Sequence, residues 1–450
     1  MTIDLKGKTI LVLGLGTTGV AVGRFALRRG ALVIGVDDAP RTLLKPEAER
    51  LSEKGGQVFA GDETHLIPWE NLDLLVLSPG VPVEHPLVLE AKRRQVLVMG
   101  EIELASRFNR SPVIGITGTN GKSTTTELVG ALLQGAGLRV SVGGNLGTPW
   151  VTLLEREPDP EWTVLELSSF QLETIESFHP KISVILNLTE DHFERHHGME
   201  AYAAAKARIF ENQGRDDFLI YNDDDAHVIA MTLEAVPRKI PFSSTKHVAG
   251  IFWDSETSFQ SDVTGQTRRY SLEGVALKGL HNIENMLAAV AVAELAGIRQ
   301  ETIQSGLEKF TPLPHRLELI RELNSVRYYD DSKGTNVGAV VMSLASFDEP
   351  VVLILGGKDK GGDYRVLRSL VQHKAKGVIL MGEARDKIRE ALKGCAPLYD
   401  VATMQDAVIQ AHAIAKAGDV VLLSPACSSF DMFRDYKHRG DEFQRWVKEL

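Results

Sequence analysis

Short apolar runs rich in Val, Ile and Leu recur along the chain, each leading into glycine or polar residues and then a helical stretch. KTILVLG (8–14) predicts a strand, VAVGRFALRRG (20–30) a helix and ALVIGVDD (31–38) a second strand. LDLLVLSPG (72–80) reads as a strand ending in a Pro-Gly turn, followed by the helix VLEAKRRQ and the strand VLVMG. Strands alternating with helices predict a parallel sheet covered on both faces.

The same rhythm restarts at SPVIGITGTNGKSTTTELVGALLQGAG (111–137) as strand, glycine loop and helix. TVLELSS (163–169) and ISVILNLT (182–189) are further strands that end in polar residues, and DFLIYNDDDAH reads as another strand and loop. EAYAAAKARIFEN (200–212) has strong helix propensity, and HNIENMLAAVAVAELAG (281–297) predicts a long apolar helix ended by glycine. Between them, residues 243–278 alternate in polarity and predict a small antiparallel excursion. Beyond the prolines of TPLPHRLE (311–318), four strand-then-loop units predict another doubly wound sheet: RYYDDSKGTN, PVVLILGGKDKGG, GVILMGEA and DVVLLSPACSSFDMF. The expectation is an α/β protein of three domains, at 1–100, 101–312 and 313–450. A length of 450 residues also suits about three domains.

Fifty Lys+Arg against sixty Asp+Glu give a net charge of −10. No bulk basic field is present for nucleic acid or an anionic membrane. Two cysteines, Cys395 and Cys427, are too few for a disulfide framework or a four-ligand zinc site. The N-terminal stretch lacks a signal-peptide pattern, and no apolar run approaches the roughly 18 residues of a membrane span. A soluble cytoplasmic protein is expected.

The strongest chemical signal is GITGTNGKSTTT. Gly118 and Gly121 let the backbone curl around a phosphate, Lys122 supplies a point charge, and Ser123 or Thr124 is placed to ligate Mg²⁺. Ile116 stands where the strict phosphate-loop pattern has its first glycine. A second loop, Gly14-Leu15-Gly16-Thr17-Thr18-Gly19, is a literal G-x-G-x-x-G with Asp37 and Asp38 ending the next strand. It indicates a diphosphate-bearing ligand without choosing between a dinucleotide and another nucleotide. Glu166, Asp191 and His192 close strands of the central block, where carboxylates commonly hold Mg²⁺ beside a phosphate loop. His192 and His196 have i, i+4 spacing, but no third zinc ligand is signalled.

TGTNGKST, LELSSFQLE (165–173), NLTEDHFERH (187–196), AAKARIF (204–210), GLHNIEN (279–285), PHRLE (314–318), DDSKGTN (330–336) and SPACSSFDMFRDYKHRGDEF (424–443) follow one another in that order. Over essentially its whole length the chain resembles the Mur ligase family of ATP-dependent amide-forming enzymes. ELSSFQLE and SPACSSFDMF favour the member that adds D-glutamate to UDP-N-acetylmuramoyl-L-alanine. The resemblance implies an N-terminal Rossmann-like domain for the UDP substrate, a central P-loop-type ATPase domain with a mainly parallel sheet, and a C-terminal Rossmann-like domain for the amino acid. It implies a carboxylate activated by ATP as an acyl phosphate, then displacement of phosphate by the amine in cytoplasmic peptidoglycan-precursor synthesis.

By the same resemblance, Gly118, Thr119, Asn120, Gly121, Lys122, Ser123 and Thr124 surround the ATP phosphates. Ser123 and Glu166 match ligands of one Mg²⁺ and His192 a ligand of a second, while Lys206 matches a carbamylated lysine. Lys122, His192 and Lys206 form the catalytic set. Asn282, Asn285, Arg316 and Asp331 match further contacts to ATP, and Asn145 one to the muramoyl substrate. Lys333, Thr335, Lys360, Ser429 and Tyr436 would build the glutamate pocket. Thr17, Thr18, Ser78 and Gly80 would take the uridine end, where Asp38-Ala39 departs from the polar-then-basic pair of relatives. The implied partners are the two substrates and ATP, with no nucleic acid and no membrane, acting on a monomer. Two competing readings are an NAD oxidoreductase, which leaves GTNGKST unexplained, and a motor or transport ATPase, which leaves the third block without a role.

Overall fold

In a computed structural model of the chain, every residue is described except Met1, Thr2, Leu146, Glu157, Lys278 and Pro312. The boundary expected at 312 therefore lies outside the described residues. The chain divides into two compact units: 1–187, 200–273 and 284–307 form the first, and 188–199, 274–283 and 308–450 the second.

The first unit holds two sheets. One joins β1 (Thr9–Leu13), β2 (Leu32–Asp37), β3 (Gln57–Ala60), β4 (Leu74–Leu77) and β5 (Leu97–Gly100) in the order 3-2-1-4-5, all parallel. The chain reverses its direction of winding between β1 and β4, which opens a crevice at their carboxyl ends. The other sheet contains β6 (Val113–Thr117), β7 (Val140–Gly144), β8 (Trp162–Glu166), β9 (Ile182–Ile185), β10 (Phe218–Asn222), β11 (Arg238–Ser243), β12 (Ile251–Ser255), β13 (Ser258–Ser261) and β14 (Arg268–Ser271). Their order is 14-13-12-11-10-9-6-8-7. Only β12, β13 and β14 pair antiparallel, which is the excursion expected at 243–278.

The second unit carries β15 (Glu318–Leu323), β16 (Val326–Asp330), β17 (Val351–Gly356), β18 (Ala375–Met381), β19 (Leu398–Asp400) and β20 (Val420–Leu423), ordered 15-16-20-17-18-19. All but β15 run parallel. In β17, Val351, Leu353 and Leu355 pack into one core layer and Val352 and Ile354 into the other. A strand covered on both faces needs an unbroken apolar run, and VVLILG is one. The α/β class is as expected, but β3, β7, β11, β15 and β19 are additions to the strands read from sequence. Each is short, glycine- or proline-bearing, or partly exposed, so its apolar run is broken.

Two buried acids join the sheets of the first unit. The helix Glu101–Ser106 follows β5 directly. Glu103 accepts N–H bonds from Glu176, Ser177 and Phe178 at 2.8–3.0 Å and faces Arg107 at 2.9 Å. Burial pushes its carboxyl up, but these donors outweigh burial and hold it below the usual range. Glu101 receives the Val151 N–H at 2.9 Å, and burial raises its carboxyl to about 7. Because the folded value exceeds the unfolded one, this group costs stability as pH rises through the window from 4.5 to about 7. The loss is on the order of 3 kcal/mol. Glu101→Gln should flatten that part of the melting-temperature profile, and an unchanged slope would contradict it.

Candidate functional site

The first glycine loop lies at the crevice between β1 and β4. Ser78 Oγ donates to the Gly14 carbonyl at 2.7 Å, and a Cβ at Gly19 would sit 1.8 Å from that carbonyl oxygen. Gly19 is therefore fixed by close approach, which lets the helix Thr17–Arg28 start at once. Thr17 and Gly80 are exposed at this edge, with Thr18 and Ser78 half-buried. Asp37 accepts the N–H of Leu15 in the loop at 2.7 Å and that of Ala39, just past its own strand, at 2.9 Å. Asp38 faces His85 at 2.8 Å, while Arg41 pairs with Glu49 at 2.9 Å and Glu63 at 2.7 Å.

The second loop follows β6, between the ends of β8 and β9. Ile116 is an interior strand residue with no exposure, and Gly118, at φ 147°, makes the turn two residues later. Gly121, at φ 85°, precedes the helix Lys122–Gly135, and a Cβ there would lie 2.2 Å from Asn285 Oδ1. Asn187 braces the loop: its carbonyl accepts Thr119 N–H and its Oδ1 accepts Asn120 N–H, each at 2.8 Å. The first helical turn, with Ser123 and Thr124 buried, directs backbone N–H groups toward the loop as an anion site requires. Lys122 Nζ lies back over the loop, donating to the carbonyls of Gly118 at 2.9 Å and Thr119 at 2.7 Å.

Around it stand two buried ionisable groups. Glu166, 3 % exposed, accepts from Asn145 Nδ2 at 2.7 Å, which brings an expected metal ligand against an expected substrate contact. Lys206, 1 % exposed on the helix Met199–Ala207, donates to the Gly118 carbonyl at 2.9 Å. An Ala-flanked lysine on a helix reads as solvated; the fold instead turns this one into the sheet edge. Its Nζ sits 4.7 Å above the Tyr202 ring, whose hydroxyl lies 3.2 Å from Thr119 Oγ1. Thr125 Oγ1 donates to Asn285 Oδ1 at 3.2 Å. Asn187 and Tyr202 went unnoticed in the sequence as site residues; the position of Asn187 at the end of ISVILN was the available signal.

The second unit assembles its own group. His192, at φ 56°, opens the short helix Phe193–His196. Asp191 lies 3.6 Å from His192 Nε2 and 3.7 Å from Lys360 Nζ, and accepts from Asn336 Nδ2 at 3.1 Å. These residues line one small pocket with Gly361 and Gly362. Lys358, two residues before Lys360, bridges to Ser428 through the backbone and is exposed. Arg316 lies between His315 and Leu317, both left-handed at φ 61° and 45°. His315 is held by Asp330 at 2.7 Å, an ion pair that raises its imidazole pKa. Asp331 accepts from Ser343 at 2.6 Å and Ser424 at 2.7 Å, and burial lifts its carboxyl to about 6. Asn282 donates its N–H to the Gly279 carbonyl at 3.0 Å. Lys333 Nζ is 5.1 Å from the Tyr436 ring, and Thr335 folds back onto the Lys333 carbonyl. Ser429 is buried, and Arg439, missed in the sequence, bonds the Ser332 and Cys427 carbonyls at 2.8 and 3.1 Å.

Three family models match the chain: the Mur ligase MurD-like N-terminal domain over 8–100, the Mur ligase middle domain over 116–293 and the Mur ligase glutamate ligase domain over 315–427. A UDP-N-acetylmuramoylalanine--D-glutamate ligase of Geotalea daltonii is 45% identical over 449 residues, covering 100% of this chain and 99% of the relative. One of the same name from Syntrophus aciditrophicus is 41% identical over 449 residues and 99% of both chains. The chain belongs to the Mur ligase family. The Mur ligase fold is also shared with the MurF ligase of Thermotoga maritima solved with ADP, at TM-score 0.63 and 16% identity over 100% of both chains. MurC of that organism gives 0.61 and 18% over 98% of both. Among the described residues no helix is long and apolar enough to cross a membrane.

Proposed function

We propose that the chain joins D-glutamate to UDP-N-acetylmuramoyl-L-alanine at the expense of ATP, in the cytoplasm and as a step of peptidoglycan-precursor synthesis. The observation that carries this reading is the phosphate loop Gly118–Lys122 with Glu166 and Lys206 buried at the same sheet edge. The names of the full-length relatives supply the substrates.

The UDP end lies along Thr17, Thr18, Ser78 and Gly80, and the muramoyl arm reaches Asn145. The substrate carboxylate attacks the γ-phosphorus, an O–P bond forms and ADP leaves. The amine of glutamate then attacks the acyl carbon, phosphate departs and the amine loses its proton. Two anions must meet in the first step, so a fixed cation between them lowers the barrier. Lys122 takes that part, and the first-turn N–H groups hold phosphate oxygens. Asn282, Asn285, Arg316 and Asp331 hold the rest of the nucleotide. Lys333, Thr335, Lys360, Ser429 and Tyr436 bind glutamate; the two lysines suit its two carboxylates.

Oxygen donors in a buried setting fit Mg²⁺, a hard cation, and the Ser123 hydroxyl and Glu166 carboxylate supply them. Those two residues would hold one ion, and His192 with a carbamylated Lys206 would serve a second. Bound there, Mg²⁺ supplies charge neutralisation at the phosphates.

Phosphate release from ATP, measured with UDP-N-acetylmuramoyl-L-alanine and a panel of D- and L-amino acids, tests the reading. Release should depend on both co-substrates and strongly prefer D-glutamate. Equal turnover with L-glutamate would overturn it.

A further inference from the structure

Away from the phosphate loop, the first unit encloses a cavity of about 320 Å³. Ser111, Ser141 and Thr163 on its wall lie at the amino ends of β6, β7 and β8. The phosphate loop follows the carboxyl end of β6. Strand rise therefore separates the two places by roughly 15 Å.

The wall is amphipathic and positively charged. Among the described residues, Arg29, Arg110 and Arg156 line it with one acid, Asp159, which lies 3.8 Å from Arg110. Arg29 is pre-positioned: its guanidinium stacks 3.5 Å from the Phe25 ring centroid and 5.0 Å from that of Phe108, with Glu155 at 4.0 Å. Phe108, Leu153 and Trp150 give the apolar side. Trp150 is 1 % exposed, and its Nε1–H has no hydrogen-bond partner among the described residues. Buried indole N–H groups ordinarily find an acceptor, because leaving one without costs the desolvation of a donor. A cavity of this size, with arginine donors converging beside an apolar wall, has the form of a site for a small charged molecule.

We propose that this cavity binds a small amphipathic anion, its aromatic or aliphatic body against Phe108, Leu153 and Trp150. Its carboxylate or phosphate is held by the arginines, beside the Trp150 indole. Arg29 caps the helix Thr17–Arg28 that packs on the first sheet, residues 108–111 lead into β6, and the rest of the wall lies along the second sheet. An occupant therefore ties the two sheets of the unit together, apart from the nucleotide loop.

The test uses the full chain labelled with ¹⁵N at its five tryptophans, the Trp150 indole resonance being assigned with Trp150→Phe. Phenyl phosphate and benzoate are titrated as the two anion types, with phenol as the uncharged control. The Trp150 resonance should move saturably with at least one anion, and the stronger anion identifies the headgroup. The exposed pair Arg110→Glu and Arg156→Glu should weaken that binding by at least roughly tenfold while leaving turnover unchanged. A resonance unmoved by both anions, an equal response to phenol, or binding indifferent to the double charge reversal would each overturn the proposal.

Discussion

Lys122→Ala is expected to abolish ligation while leaving a folded protein. The Lys122 side chain is half-buried and donates to the Gly118 and Thr119 carbonyls of its own loop. Gly118 and Gly121 set the loop's shape, and Asn187 braces Thr119 and Asn120 independently. Removing the amine therefore leaves the backbone cradle standing and takes away the charge that lets carboxylate and γ-phosphate approach. An electrostatic clamp of this kind accounts for a rate loss of order 10²-fold or more. Single-turnover phosphate release checks the size of the loss, and a melting curve within a few degrees of the parent checks folding. Near-normal turnover would mean that the phosphates bind elsewhere.

How much was legible in the sequence follows from what each signal depends on. The parallel strands that flank the two loops, β1, β4, β6, β8 and β9, were readable because they are covered on both faces and their apolar runs are continuous. The same holds for β17 and β20 in the second unit. Edge strands such as β15 escaped because a half-exposed antiparallel strand alternates weakly and sits beside polar loops. The phosphate loop was legible as a local pattern, even with Ile116 in place of a glycine, since Gly118 makes the turn within a shorter span. Long-range partners were not. Asn187 lies 67 residues from Asn120, and Thr119 lies 83 from Tyr202. Only strand order brings such pairs together, and no spacing in the sequence carries it. Arg439 was passed over for a similar reason, because an arginine on a polar helix reads as solvated. The fold gives it carbonyl acceptors in the interior, where burial pushes its guanidinium down to about 10.

Lys206→Arg is the second variant expected to lose nearly all turnover, again by order 10²-fold or more. Lys206 is as deeply buried as the core aromatics, with its Nζ 2.9 Å from the Gly118 carbonyl and 3.4 Å from Thr117 Oγ1. A cation placed there faces the phosphate loop but cannot ligate a metal. Addition of carbon dioxide to the neutral amine changes that: an N–C bond forms, one proton leaves to solvent, and an anionic oxygen donor replaces the ammonium. Such a donor suits Mg²⁺, whose binding in turn favours the modified form. Arginine keeps the charge and much of the length but is a poor carbamate former, so the variant separates charge from chemistry. Two measurements stand apart from the variant. Activity of the unmutated chain should fall when dissolved carbon dioxide is stripped and return with bicarbonate. With ¹³C-bicarbonate, a carbamate resonance should be present in the parent and missing in Lys206→Arg. An active arginine variant together with no carbamate resonance would leave Lys206 as a buried amine that braces the Gly118 turn.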